Sequence, residues 1–154
     1  MNVFEYFPDE EQSIELSLVE LTANYEVWSR EQVFDRVKLI CDNLMGHLKK
    51  HDALLLSKLE GSSQLVSLLA DYKKDRAAVE EEIGQLVEVH VDEPEYEECL
   101  EKLLKIVETH TAFSKRLYAG IQQFASKQEL DLLNKQFNEV VLHSTDFNYL
   151  QEAS

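Results

Sequence analysis

Apolar residues recur along this chain at steps of three and four, the spacing that lines one face of a helix. One stripe runs Val37, Ile40, Leu44, His47, His51, Leu54, and another runs Leu100, Leu103, Val107, His110, Ser114, Leu117, Ile121, Phe124. A third carries Leu65, Leu69, Tyr72, Val79, Ile83 and Leu86, and a fourth carries Ile14, Leu18, Leu21, Tyr25 and Trp28. Local signals then set the boundaries. Pro8-Asp9 is expected to stop an N-terminal arm, with Asp9 or Ser13 capping the first helix. Ser29 followed by Gln32 forms a capping box that opens a second helix to about Glu60, where Gly61-Ser62-Ser63 breaks it and caps the third. The third fades between His90 and Pro94. Pro94 suits the first turn of a fourth helix that opens on Glu95, Glu97 and Glu98 and reaches about Ala125. Ser126 and Glu129 form a second capping box, opening a short fifth helix through about Val141. The tail from His143 to Ser154 has weak periodicity and is expected to pack loosely.

Four long helices joined by short turns predict an all-α, up-down four-helix bundle with a short C-terminal helix. Residues 1–154 are read as a single domain with its core over roughly 10–140. The 4 glycines and 2 prolines permit long uninterrupted helices. The aromatic residues Phe34, Phe113, Tyr118, Phe124 and Phe137 fall at helical spacing and read as core.

Charge narrows the partners. Thirty acidic residues against 15 basic ones give a formal charge of −15. Such a field repels phosphate backbones and anionic lipid heads, so neither nucleic acid nor a membrane surface is expected as a partner. A basic protein is the macromolecule it would favour, although solubility alone accounts for the charge. No apolar run has the length to cross a bilayer, and the N-terminus lacks the basic start and apolar stretch of a signal peptide. Cys41 and Cys99 are isolated and beside their seams, so both read as buried reduced thiols of a cytoplasmic protein.

The chemistry lies in the seams. His47, His51 and His110 occupy positions where a bundle ordinarily places leucine, and each unpaired buried imidazole nitrogen costs roughly 1–3 kcal/mol. His47 and His51 are one turn apart and can chelate one ion, with His110 adding a third nitrogen and Tyr72 a phenolate oxygen. Zn²⁺ and Fe²⁺ suit such ligands. The plainer reading, and the one the sequence favours, is a metal-free network of His47, His51, His110, Tyr72 and Ser114, whose side chains all donate and accept hydrogen bonds. His90, beside acidic residues at a helix end, His143 and the run Glu80-Glu81-Glu82 read as solvated surface. No glycine-rich phosphate loop, nucleophile elbow or Cys/His protease signature occurs.

The segments His47-Leu48-Lys49-Lys50-His51 and His110-Thr111-Ala112-Phe113-Ser114, with Asp71-Tyr72 between them, resemble the His-x-x-x-Glu pattern of the hemerythrin-like (HHE cation-binding) family over roughly residues 10–140. The resemblance implies a four-helix bundle whose members hold two iron ions through histidines and two bridging carboxylates. His47 and His110 match the motif histidines. His51 and Ser114 stand where the two glutamates belong, Tyr72 stands where a third-helix histidine belongs, and the first helix has no histidine. Without bridging carboxylates a full di-iron centre is not expected, nor is reversible oxygen binding or di-iron oxidase chemistry. The resemblance thus implies a non-enzymatic binding or regulatory protein with a degraded site, retaining at most one iron or zinc ion at His47, His51, His110 and Tyr72. Two alternatives stand beside it. One is a metal-free interaction module whose acidic surface docks a basic partner, with the arm Val3, Phe4, Tyr6, Phe7 or the fifth helix offering apolar contacts. The other is a mononuclear metalloenzyme, which needs an open coordination position and a solvent path.

Overall fold

Five α-helices account for almost all of residues 2–143, the part of the chain that the computed structural model describes. They are α1 (Val3–Ala23), α2 (Arg30–Glu60), α3 (Val66–Glu88), α4 (Glu95–Phe124) and α5 (Lys127–His143), with a single 3₁₀ turn at Ser63–Leu65 before α3. Helices α1 to α4 form a closed antiparallel ring: α1 packs on α2, α2 on α3, α3 on α4, and α4 returns against α1. Helix α5 lies against α1 and α2. This is the all-α bundle with a short C-terminal helix that the periodicity predicts. The expectation for the tail beyond His143 lies outside the described residues.

Helix boundaries follow their caps. The Ser29 side chain accepts from the Gln32 amide while the Gln32 side chain accepts from the Ser29 amide, which closes the box at the start of α2. Ser126 and Glu129 make the same reciprocal pair before α5. Helix α3 departs from expectation, because Ser62 makes no side-chain cap bond and the 3₁₀ turn leads straight into it.

The larger departure is at the N-terminus. Pro8 does not stop an arm; it sits inside α1, which starts at Val3. A proline there removes one backbone bond and crowds the carbonyl four residues back, at a cost of about 3 kcal/mol. Tertiary contacts offset it. Asn2 caps the helix by accepting from the Phe4 amide, and the Val3 amide donates to the Asn134 side chain on α5 at 2.9 Å. Val3 and Phe7 are fully buried, each contributing roughly 1.5–3 kcal/mol. The segment read as an exposed apolar arm is therefore an anchored first turn, with Phe4 and Tyr6 also packed on the core.

Apolar packing falls into two clusters rather than one. The first joins Ile14, Leu18 and Leu21 of α1 to Leu44 and Leu48 of α2, Val79 and Ile83 of α3, and Leu103 and Val107 of α4. The second joins Val3 and Phe7 to Leu54 and Leu55, Tyr72, Phe113 and Leu117, with Leu133 and Phe137 of α5. Between them, Glu11, His47, His51, His110 and Ser114 form a buried polar layer. Some expected core residues lie outside both clusters. Phe34 is 52% exposed and Phe124 is 42% exposed, at the outer edges of their helices. Cys41 and Cys99 are half-buried free thiols rather than fully buried ones. No described helix is long and apolar enough to cross a membrane.

Two glycines separate backbone entropy from packing. A Cβ at Gly84 in α3 meets nothing within 4 Å, whereas one at Gly120 in α4 runs into Leu68 Cδ1. Gly84→Ala is expected to stabilise the protein by about 1 kcal/mol, raising the melting temperature by about 2–4 °C. Gly120→Ala should show no such gain, because Leu68 must shift; urea unfolding of both variants checks the contrast.

Candidate metal centre

The polar layer is assembled from all four bundle helices. Helix α1 contributes Glu11, reached by the register Phe7, Glu11, Ile14, Leu18; α2 contributes His47 and His51; α4 contributes His110 and Ser114. Helix α3 contributes Asp75, on the register Tyr72, Asp75, Val79. Each polar residue thus replaces a core residue in an otherwise apolar seam.

Proton counting fixes how the rings present themselves. His47 Nδ1 lies 2.6 Å from Glu10 Oε1, and His110 Nδ1 lies 2.6 Å from Asp75 Oδ2. A carboxylate only accepts, so both Nδ1 atoms carry protons and both Nε2 atoms face the centre. The Tyr118 hydroxyl donates to Glu11 Oε1 at 3.0 Å and lies 2.7 Å from His51 Nε2. Its one proton being committed to Glu11, His51 Nε2 must donate to the phenol oxygen, which leaves His51 Nδ1 as a bare lone pair. That atom makes no hydrogen bond, and neither does Glu11 Oε2.

The inward atoms form a small triangle. His47 Nε2 is 3.2 Å from His110 Nε2, and Glu11 Oε2 is 3.3 Å from the first and 3.0 Å from the second. Those last two contacts have the lengths of ion pairs without the angles of hydrogen bonds. Two neutral imidazoles in this arrangement aim lone pairs at each other and at a carboxylate oxygen, which repels unless something positive lies among them. A proton on His110 is one answer. Burial alone would depress its pKa, but Asp75 and Glu11 outweigh burial and push it up to about 9. Burial would likewise raise the Glu11 carboxyl, yet His110 and His47 hold it down to about 2. His51 is held neutral by burial first and by the charges of His47 and His110 second.

A metal ion is the other answer. Ligand atoms of Glu11, His47, His51 and His110 all lie within 4.8 Å of one another, so the four residues can hold a cation. The donors around a tetrahedral zinc with bonds near 2.0–2.1 Å are separated by about 3.3 Å, close to the edges of the triangle. Carboxylates behind two of the histidines match the usual support of metal-bound imidazole, which fixes the tautomer and raises ligand basicity.

The remaining sequence candidates lie at the edge of this layer. Tyr72 is buried beside His51, with ring centroids 6.5 Å apart, but its hydroxyl donates to Asp52. Asp52 also pairs with Arg76 at 2.8 Å. Ser114 Oγ approaches His110 Nε2 at 3.4 Å. His90 is exposed and lies 3.3 Å from Asp92. Sequence reasoning missed Glu11, Glu10, Asp75 and Tyr118. Glu11 was findable, because it continues the seam of Ile14, Leu18 and Leu21 once α1 is allowed to start before Pro8. Comparison of the chain with protein families, curated proteins and solved structures found no match.

The ionised pair makes the metal-free protein pH-sensitive in two directions. His110 has its folded pKa raised from 6.5 to about 9, so its contribution is complete below pH 6.5 and is lost as pH rises through 9. Glu11 has its folded pKa lowered from 4.5 to about 2, so its contribution is complete above pH 4.5 and is lost as pH falls toward 2. The melting temperature in the presence of chelator should therefore decline on both sides of a plateau spanning pH 4.5 to 6.5. His110→Gln should flatten the alkaline decline, which a thermal-shift series in pH detects; an unchanged alkaline slope would remove His110 as its source.

Proposed function

We propose that this chain is a non-enzymatic, hemerythrin-like cation-binding protein whose site holds one divalent ion, Zn²⁺ or Fe²⁺, at Glu11, His47, His51 and His110. The carrying observation is the convergence of His47 Nε2, His110 Nε2 and Glu11 Oε2 within 3.3 Å, with each imidazole backed by a carboxylate. Charge balance supports it. Glu10, Glu11 and Asp75 supply three negative charges, and Lys50 Nζ, 2.5 Å from Glu10 Oε2, supplies one positive charge. With neutral histidines the layer carries a net −2, which a divalent cation cancels. The orphaned Glu11 Oε2 and His51 Nδ1 would gain the partner they otherwise lack.

The resemblance to the hemerythrin-like pattern agrees with a cation in the middle of a bundle. It does not extend to two ions: Glu11 is the only carboxylate among the four convergent residues, so nothing else there can bridge a pair. Three nitrogens and one oxygen complete a tetrahedral set, the arrangement of closed structural zinc sites. A mononuclear iron enzyme is the second reading, favoured by one observation: two histidines and a carboxylate on one triangle also fit the face of an octahedron. Against it, the four residues and Ser114 are all buried, which leaves a substrate no approach among them.

Metal analysis after dialysis against Zn²⁺ or Fe²⁺ should give one equivalent per chain, with a raised melting temperature. Glu11→Gln keeps the shape but removes the anionic ligand and should abolish stoichiometric binding. Asp75→Asn should weaken binding about 10–100-fold by loosening the His110 ring. Affinity should rise with pH as the ion displaces the His110 proton. Substoichiometric metal, or a wild-type melting temperature indifferent to added ion, would overturn the assignment.

A further inference from the structure

On the far side of the polar layer from α5, a groove of about 530 Å³ runs between α2 and the end of α3. Its floor is apolar and firmly packed, formed by the buried side chains of Val37, Leu86 and Tyr96. Its rim is apolar too: Phe34 is 52% exposed and Val87 is 74% exposed. On α2 the groove follows one helical face, Phe34, Val37, Lys38, Cys41 and Asp42, at steps of three, one, three and one. Exposed aromatic and branched side chains around a concave apolar floor are the usual mark of an interaction surface.

Charge selects the occupant. Asp42, Glu88 and Glu93 border the groove against one cation, Lys38, on a chain whose formal charge is −15. A second copy would bring the same negative field and be repelled. The described surface is helical and offers no strand edge, so an extended peptide has no backbone ladder to join. We infer that this groove docks a basic amphipathic helix of a partner protein, its apolar face against Phe34, Val87 and the floor, its lysines or arginines toward Asp42, Glu88 and Glu93. The inference is independent of the metal reading, since none of these residues belongs to the polar layer. Apolar side chains at i, i+3, i+4 and i+7 of the incoming helix would span the groove as the same spacing on α2 does.

The probe is a synthetic fluorescent peptide with leucines at i, i+3, i+4 and i+7 and lysines on the opposite face. A scrambled peptide of identical composition and a glutamate-for-lysine version serve as controls, all titrated against the full chain by fluorescence anisotropy. The amphipathic lysine peptide should bind, weaken with salt, and lose at least tenfold in affinity to Val87→Glu or Phe34→Glu. Both positions are on the surface, so unchanged circular dichroism and unchanged metal uptake in these variants separate loss of docking from loss of fold. Equal binding of the scrambled peptide would overturn the groove in favour of diffuse charge attraction. Equal binding of the glutamate peptide would overturn the basic partner. Uptake of a small apolar dye at the groove with no peptide binding would overturn a helix in favour of a small-molecule pocket.

Discussion

The Glu11 carboxylate is the constraint around which the bundle is organised. Its Oε2 lies beside the inward nitrogens of His47 and His110, and its Oε1 accepts from Tyr118. One anionic side chain on α1 therefore faces three groups of α2 and α4, bonding one of them and lying within 3.3 Å of the other two. Truncating it would remove the anion beside two inward imidazole nitrogens and the acceptor of the Tyr118 hydroxyl, and a buried donor left without an acceptor destabilises the fold. An apolar layer of the same shape would hold the helices together as well or better. What Glu11 adds is a defined arrangement of donors, which is the property a binding site requires.

The layer divides the core into two apolar compartments that hold its helices in fixed register. Below it, Leu44 and Val107 share a cluster with Ile14, Leu18 and Ile83; above it, Leu54 and Phe113 share one with Phe7 and Leu117. Phe7 also lies edge-on to both α2 histidines, with ring centroids 5.6 Å from His47 and 4.5 Å from His51. Rings clamped this way lose little further freedom on taking up a ligand, which is the advantage of preorganisation. Toward solvent, Glu10, itself held by Lys50, accepts from the outward nitrogen of His47 and Asp75 accepts from that of His110, so the polarity of the centre grades into the charged surface.

Much of this architecture was legible in local sequence. Steps of three and four placed His47, His51 and His110 on inward seams, and serine-led capping boxes marked the starts of α2 and α5. What escaped depended on distant contacts. Pro8 is a valid stop signal by its own chemistry, and only the burial of Val3 and Phe7 beside α5 overrides it. Misplacing that start concealed Glu11, which shares the spacing of its apolar neighbours. Asp75 and Tyr118 were unreadable as partners because nothing along the chain says which helix faces which. Phe34 and Phe124 carried helical spacing yet lie on outer faces, because hydrophobicity alone does not forbid exposure.

The bond from the Val3 amide to Asn134 spans 131 residues. The opening turn of α1 therefore depends on a partner that follows α2, α3 and α4 along the chain. Glu11, two turns further on, has its partners on α2 and α4, while the stretch before it is held by α5. Closing so long a loop is among the slower and entropically costlier events in folding. A contact of that span closes a loop containing every other helix of the bundle, so the N-terminal latch carries an entropic cost that the nearer contacts of α1 do not.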